Sequence, residues 1–94
     1  MLMVFEARGY YNCETHIMIT KDMRHLKDEF IDDCLMWIKT HTDYIKVTAQ
    51  IDASRTGLIE LAKRHGFTQE GINSKSFVKN GNILDKIILG LFVG

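Results

Sequence analysis

Residues Tyr44 to Gly71, YIKVTAQIDASRTGLIELAKRHGFTQEG, contain the signals that decide the fold. Ile45, Val47, Ala49 and Ile51 alternate strictly with Lys46, Thr48 and Gln50, the period-2 pattern of a half-buried strand. From about Arg55 to His65 the period changes. Leu58, Ile59, Leu61 and Ala62 form a helical stripe, with Asp52 or Ser54 as the expected N-cap. Lys63, Arg64 and His65 suit the negative end of the helix dipole, and Gly66 supplies the left-handed stop. Gly57 inside this helix predicts either a later start or a close backbone approach.

The pattern extends outward in both directions. Upstream, Met1 to Ala7 reads as a strand, Arg8 to Asn12 as a turn, and Cys13 to Thr20 as a second strand, together a hairpin. A first helix follows, with Leu26, Phe30, Ile31, Cys34, Leu35 and Ile38 on its apolar face and Thr20 or Asp22 as its cap. Lys27, Asp28, Asp32, Asp33 and Lys39 lie on its outer face. Downstream, Phe67 to Lys79 is extended, Asn80-Gly81-Asn82 turns, and Ile83 to Phe92 is a strand apolar on both faces, hence central in its sheet. The order is β-β-α-β-α-β-β. Strand–helix–strand implies right-handed parallel crossovers, and the outer hairpins add antiparallel strands. The expected fold is α/β, a small mixed sheet with two helices.

The 94 residues allow one domain, spanning 1–94, and 12 Lys+Arg balance 12 Asp+Glu. Zero net charge argues against a general nucleic-acid binder, which draws affinity from a basic excess. No apolar run approaches the length that spans a bilayer, and the start lacks the marks of a signal peptide. Cys13 and Cys34 sit among apolar neighbours and read as reduced core thiols, which points to the cytoplasm. The four histidines fall on different elements without metal-ligand spacing, so no metal is expected. The acidic residues from Asp28 to Asp33 read as a solvated helix face, or as a surface for a basic partner. Met36 and Trp37 lie off the main apolar stripe and predict an exposed patch used in association, with a homodimer as the expected form.

The closing segments carry a resemblance. Gly66 and Phe67 after the last helix, Glu70-Gly71, the Asn80-Gly81 turn and Asp85 before an apolar strand resemble the end of GNAT-superfamily N-acetyltransferases, the ribosomal-protein type in particular. The resemblance implies an N-terminally truncated GNAT-like fold and acetyl-CoA as co-substrate, with an amine as acceptor. In that family a glycine-rich turn before the first crossover helix cradles the pyrophosphate. Here the equivalent stretch runs Lys21 to Glu29, with Lys27 and Glu29 at the glycine positions. Lys21, Arg24, His25 and Lys27 are the cations available to a diphosphate, whereas Asp28 and Glu29 would repel it.

The family's catalytic positions on the last helix correspond to Arg55, Leu58 and Ala62, none of them an acid suited to a thiolate. Ser54, Thr56 and Tyr44 are alternatives that no spacing selects. Glu14 and His16 are the candidate bases, the plainer reading being an edge-strand glutamate and a half-buried histidine. Two functions follow: an acetyltransferase, or a non-catalytic domain of the same fold acting through protein contacts in an accessory, structural or host-inhibitor role.

Overall fold

The computed structural model describes residues 2–18 and 26–94. Its elements are β1 (Leu2–Ala7), β2 (Asn12–Met18), α1 (Lys27–His41), β3 (Lys46–Asp52), α2 (Thr56–Arg64), β4 (Thr68–Lys79) and β5 (Asn82–Phe92). The expected order is thus the observed one. All five strands form one sheet in the order β1-β2-β3-β5-β4. β2 and β3 are parallel, while β1 pairs with β2, and β5 with both β3 and β4, in antiparallel register. β5, apolar on both sides, runs between β3 and β4 as its composition demands.

Both crossovers step in the same direction across this sheet, so right-handed connections place both helices on one face. That face supplies the core. Cys13, Val47, Ala49, Ile51 and Leu89 of the sheet meet Ile31, Leu35 and Ile38 of α1, and Ile59, Leu61 and Ala62 of α2. Phe67 is buried directly after α2, with Gly66 before it at φ +98° to turn the chain back to the sheet. Burial pushes the Cys13 thiol up, away from the reactive thiolate, and Cys34 is raised by burial and by Asp33.

The other face carries the alternate side chains and has no helix on it among the described residues. There Glu70 pairs with Lys46 at 2.8 Å, reaching across β5 at Gly90. A Cβ on Gly90 would meet that carboxylate at 2.5 Å, so glycine keeps the path open. The β4–β5 hairpin closes through Asn80 (φ 53°) and Gly81 (φ 79°), a two-residue turn with both central residues left-handed. Asp85 ties the irregularity in β4, accepting from the Lys75 backbone at 2.8 Å, while its own carbonyl accepts from the Ala53 N–H at 2.9 Å.

Several local expectations need correction. The N-cap position of α2 is Arg55, with no side-chain cap bond. Asp52 instead closes a local turn, accepting from the Ser54 N–H at 2.8 Å and the Ser54 hydroxyl at 2.7 Å. Gly57 lies in the first helical turn with open space around it, so neither a late start nor a close approach explains it. β3 begins at Lys46, and Ile45 is exposed. Thr20 and Asp22, the expected caps of α1, lie outside the described residues.

The two faces predict opposite responses to truncation on one strand. Leu89→Ala, at a fully buried position, should cost about 2–5 kcal/mol. Phe92→Ala, three residues on and largely exposed, should stay within about 0.5 kcal/mol, both read by urea denaturation.

Candidate functional site

The parallel strands β2 and β3 pair only from Asn12 and Lys46 to Thr15 and Ala49, although both continue further. Beyond that point they part. The gap opens at their carboxyl ends, the place where open α/β sheets bind ligands. It forms a cavity of about 270 Å³ lined by Thr15, His16, Ala49, Gln50, Ile51 and Asp52 of the strands, with Arg55 and Leu58 of α2. Both faces contribute, because Thr15, Ala49 and Ile51 belong to the helix side and His16, Gln50 and Asp52 to the other. Thr15 is almost wholly buried, and its hydroxyl finds no hydrogen-bond partner among the described residues. An orphaned buried hydroxyl costs free energy until something bonds it.

Beside the cavity, on the helix-free face, a charge network surrounds Glu14. Glu6 and Glu14 stand directly opposite in the β1–β2 register, a repulsive pairing unless a cation intervenes. Arg8 intervenes, its Nη2 donating to Glu14 Oε2 at 2.7 Å and lying 3.7 Å from Glu6 Oε2. Gln50 Nε2 donates to the other Glu14 oxygen at 3.0 Å, and His16 Nε2 lies 3.4 Å from Glu14 Oε2. Glu14 is therefore no edge-strand residue. It is 6% exposed on a strand flanked by β1 and β3, while His16 is half-exposed, as expected.

Desolvation alone would raise the Glu14 carboxyl. The hydrogen bonds from Arg8 and Gln50, with the charges of Arg8 and His16, outweigh it and hold the group below the usual carboxylate range. Glu6, Glu14 and His16 bring three ligand-type atoms within 4.8 Å of one another. Arg8 bonds one Glu14 oxygen and Gln50 the other, so the group is an ion-pair network with a histidine at its rim.

Of the four cations expected around a diphosphate, Lys21, Arg24 and His25 lie outside the described residues. Lys27 opens α1, half-buried. The acidic residues of α1 are not simply solvated. Asp28 and Asp32 turn toward the end of α2, where Arg64 and His65 meet them. On α2, Arg55 and Leu58 line the cavity, whereas Ala62 is buried in the core. Ser54 is bonded to Asp52, Thr56 is exposed, and Tyr44 packs against the core. The spacing of residues did not point to Arg8 or Gln50; the signal for Arg8 was the repulsion built into Glu6 opposite Glu14.

The depressed Glu14 carboxyl sets a sign for acid stability. Its contribution is present above the ordinary glutamate value of about 4.3 and is lost as pH falls through its lower folded value. Glu14→Gln should cost about 1–3 kcal/mol near neutral pH, and the difference from the parent should shrink in thermal melts below about pH 4.

No family model matches the chain, and no curated protein sequence matches it. Solved structures do. A protein assigned as a phosphinothricin N-acetyltransferase superposes with a TM-score of 0.86 at 20% identity, covering 98% of this chain and 59% of its own. Spermidine N-acetyltransferase SpeG of Vibrio cholerae, in complex with CoA and spermine, gives 0.82 at 19% identity, covering 88% and 50%. A chimera of that enzyme with the protein written hSSAT gives 0.83 at 19%, covering 89% and 52%. The chain thus spans between half and three-fifths of the length of these structures. Over that length its fold is the GNAT-type N-acetyltransferase fold.

Proposed function

We propose that this domain is a GNAT-like N-acetyltransferase domain, of the ribosomal-protein type by its closing segments, which takes acetyl-CoA in the gap between β2 and β3. The parting of those two parallel strands carries the reading. It leaves a pocket at the carboxyl ends of the strands, with backbone groups freed from the ladder and the unbonded Thr15 hydroxyl among its walls. An extended, amide-bearing chain such as the pantetheine arm supplies partners of that kind. The apolar side chains of Ala49, Ile51 and Leu58 fit its methylene stretches.

Transfer to an amine forms a C–N bond and breaks the thioester C–S bond, with CoA leaving as its thiolate; the nitrogen gives up a proton, and the thiolate takes one up from solvent. His16 is the group placed to take that proton. It lines the cavity, is half-exposed, and has the Glu14 carboxylate beside it to stabilise the imidazolium that results. The diphosphate falls to Lys21, Arg24, His25 and Lys27, the cations between β2 and the start of α1. Free thiols, and no helix among the described residues long and apolar enough to cross a membrane, accord with a cytoplasmic setting.

A second reading rests on a different observation. Met36, Trp37 and Phe92 are 58%, 55% and 72% exposed, with Tyr11 and Ile45 exposed nearby at the same end of the sheet. Met36 and Phe92 share the wall of a second cavity with Leu35 and Val93, and the Trp37 ring stacks on His41. Such a patch suits a homodimer contact or another protein partner, with or without catalysis. Trp37→Ser should then abolish any dimer seen by sedimentation at high micromolar concentration; a parent that stays monomeric there removes the dimer.

Calorimetric titration with acetyl-CoA tests the first reading. One saturable site is expected, and no heat at millimolar ligand would retire the proposal. Thr15→Val sharpens the test. It should leave the free protein equally stable or up to about 1 kcal/mol more so, because an orphaned hydroxyl is removed, yet weaken acetyl-CoA binding roughly three- to tenfold.

A further inference from the structure

The sheet has two outer strands, β1 and β4, and they are built differently. β4 is broken by register shifts between Gln69 and Gly71 and between Asn73 and Phe77. Lys75, within the second shift, has φ 50°, and Lys75 and Lys79 put charge on the strand. Bulges and lysines are devices by which a sheet edge resists pairing with other chains. β1 has neither. Its six residues, LMVFEA, match β2 one for one, with no shift, no proline and no lysine.

The hairpin fixes which backbone groups β1 turns outward. The Arg8 N–H donates to the Asn12 carbonyl at 2.9 Å, so Arg8 and Asn12 form a hydrogen-bonded pair. Bonded and open pairs alternate along an antiparallel ladder. Glu6 and Val4 therefore bond inward, opposite Glu14 and His16, whereas Ala7, Phe5 and Met3 direct N–H and C=O away from β2. Among the described residues nothing pairs with that outer edge.

We infer that β1 is the seam of a homodimer, in which two copies pair their β1 strands antiparallel about an axis at Phe5. The two five-stranded sheets then become one. This register uses every outward group of Met3, Phe5 and Ala7. Phe5 stands opposite the partner's Phe5 and Met3 opposite the partner's Ala7, with about six N–H···O bonds between them. The side chains agree with it. Phe5 is half-buried at the margin of the core, and the partner's Phe5 completes its cover. On the other face Val4, 38% exposed, meets the partner's Glu6, so the strand's one charge faces an apolar residue rather than its own copy. Any extended chain offers backbone bonds; this match of side chains across the axis favours a second copy. So short a seam is smaller than the roughly 1,200–2,000 Å² of a standard interface, and the dimer forms only at high micromolar concentration. It needs neither acetyl-CoA nor the Trp37 patch, and it leaves that patch to a different protein partner.

Sedimentation equilibrium of the full chain tests the seam, with a reversible dimer expected at high micromolar concentration. Ala7→Pro removes an outward N–H and no bond to β2, so the variant should fold yet dimerise about fivefold more weakly, or worse. A smaller loss in the folded variant overturns the seam. Trp37→Ser should leave the dimer unchanged; loss there puts the contact at the Trp37 patch and also overturns it. A monomeric parent overturns the inference and leaves the edge to an extended segment of another protein. Charge tests the register. Val4→Lys, opposite the partner's Glu6, should tighten the dimer about two- to tenfold, and Val4→Glu should weaken it by a similar factor. Equal losses from both overturn the pairing. Should Ala7→Pro not fold, amide exchange in the parent decides. The Met3, Phe5 and Ala7 amides should gain protection as concentration rises, and exchange that ignores concentration overturns the seam.

Discussion

A single handedness constraint organises this molecule. The β2–α1–β3 and β3–α2–β4 connections step the same way across the sheet, and right-handed crossovers in one direction must put both helices on one face. The core forms between that face and the helices. The opposite face mixes apolar residues such as Val4, Ile88 and Phe92 with charged side chains, and the charges pair: Arg8 with Glu6 and Glu14, Lys46 with Glu70. Placing the helices side by side also brings the C-terminal turn of α2 against the first turns of α1. The meeting of His65 with Asp28 and Asp32 is a direct consequence.

The cavity follows from the same geometry. β3 keeps its full register with β5, whereas its parallel register with β2 stops at Thr15 and Ala49. Beyond that point β2 stays paired with β1 and β3 with β5, and the two strands separate at their far ends. The twist of the sheet increases the separation. The residues around the gap therefore come from both faces. Apolar groups from the helix side (Ala49, Ile51) meet polar groups from the open side (His16, Gln50, Asp52), a lining suited to a ligand that is part hydrocarbon and part amide.

Much of the architecture was legible in residue order. The 2-residue period over Val47, Ala49 and Ile51 placed β3, and the change to a helical stripe at Leu58 placed α2. Gly66 and Asn80-Gly81 marked the stops, since their left-handed backbone favours those residue types. The cap of α2 was misplaced because Asp52 had a competing local partner in Ser54, and local bonds of this kind are alternatives to capping. Gly57 was over-read, because it lies at an exposed position in the first turn of α2, where a side chain would meet nothing.

Sequence alone determined the elements, their order, the neutral charge and the core stripe of each helix, because periodicity and turn chemistry act over a few residues. Only the tertiary structure decided what the charges do. Glu14 meets Gln50 across 36 positions, and His65 meets Asp32 and Asp28 across 33 and 37. The acidic turn of α1, read from the sequence as repelling a diphosphate, is met by Arg64 and His65, which lie far along the chain. The burial of Glu14 likewise depends on β2 lying inside the sheet. Electrostatic pairing is set by distance in space, which local patterns do not encode.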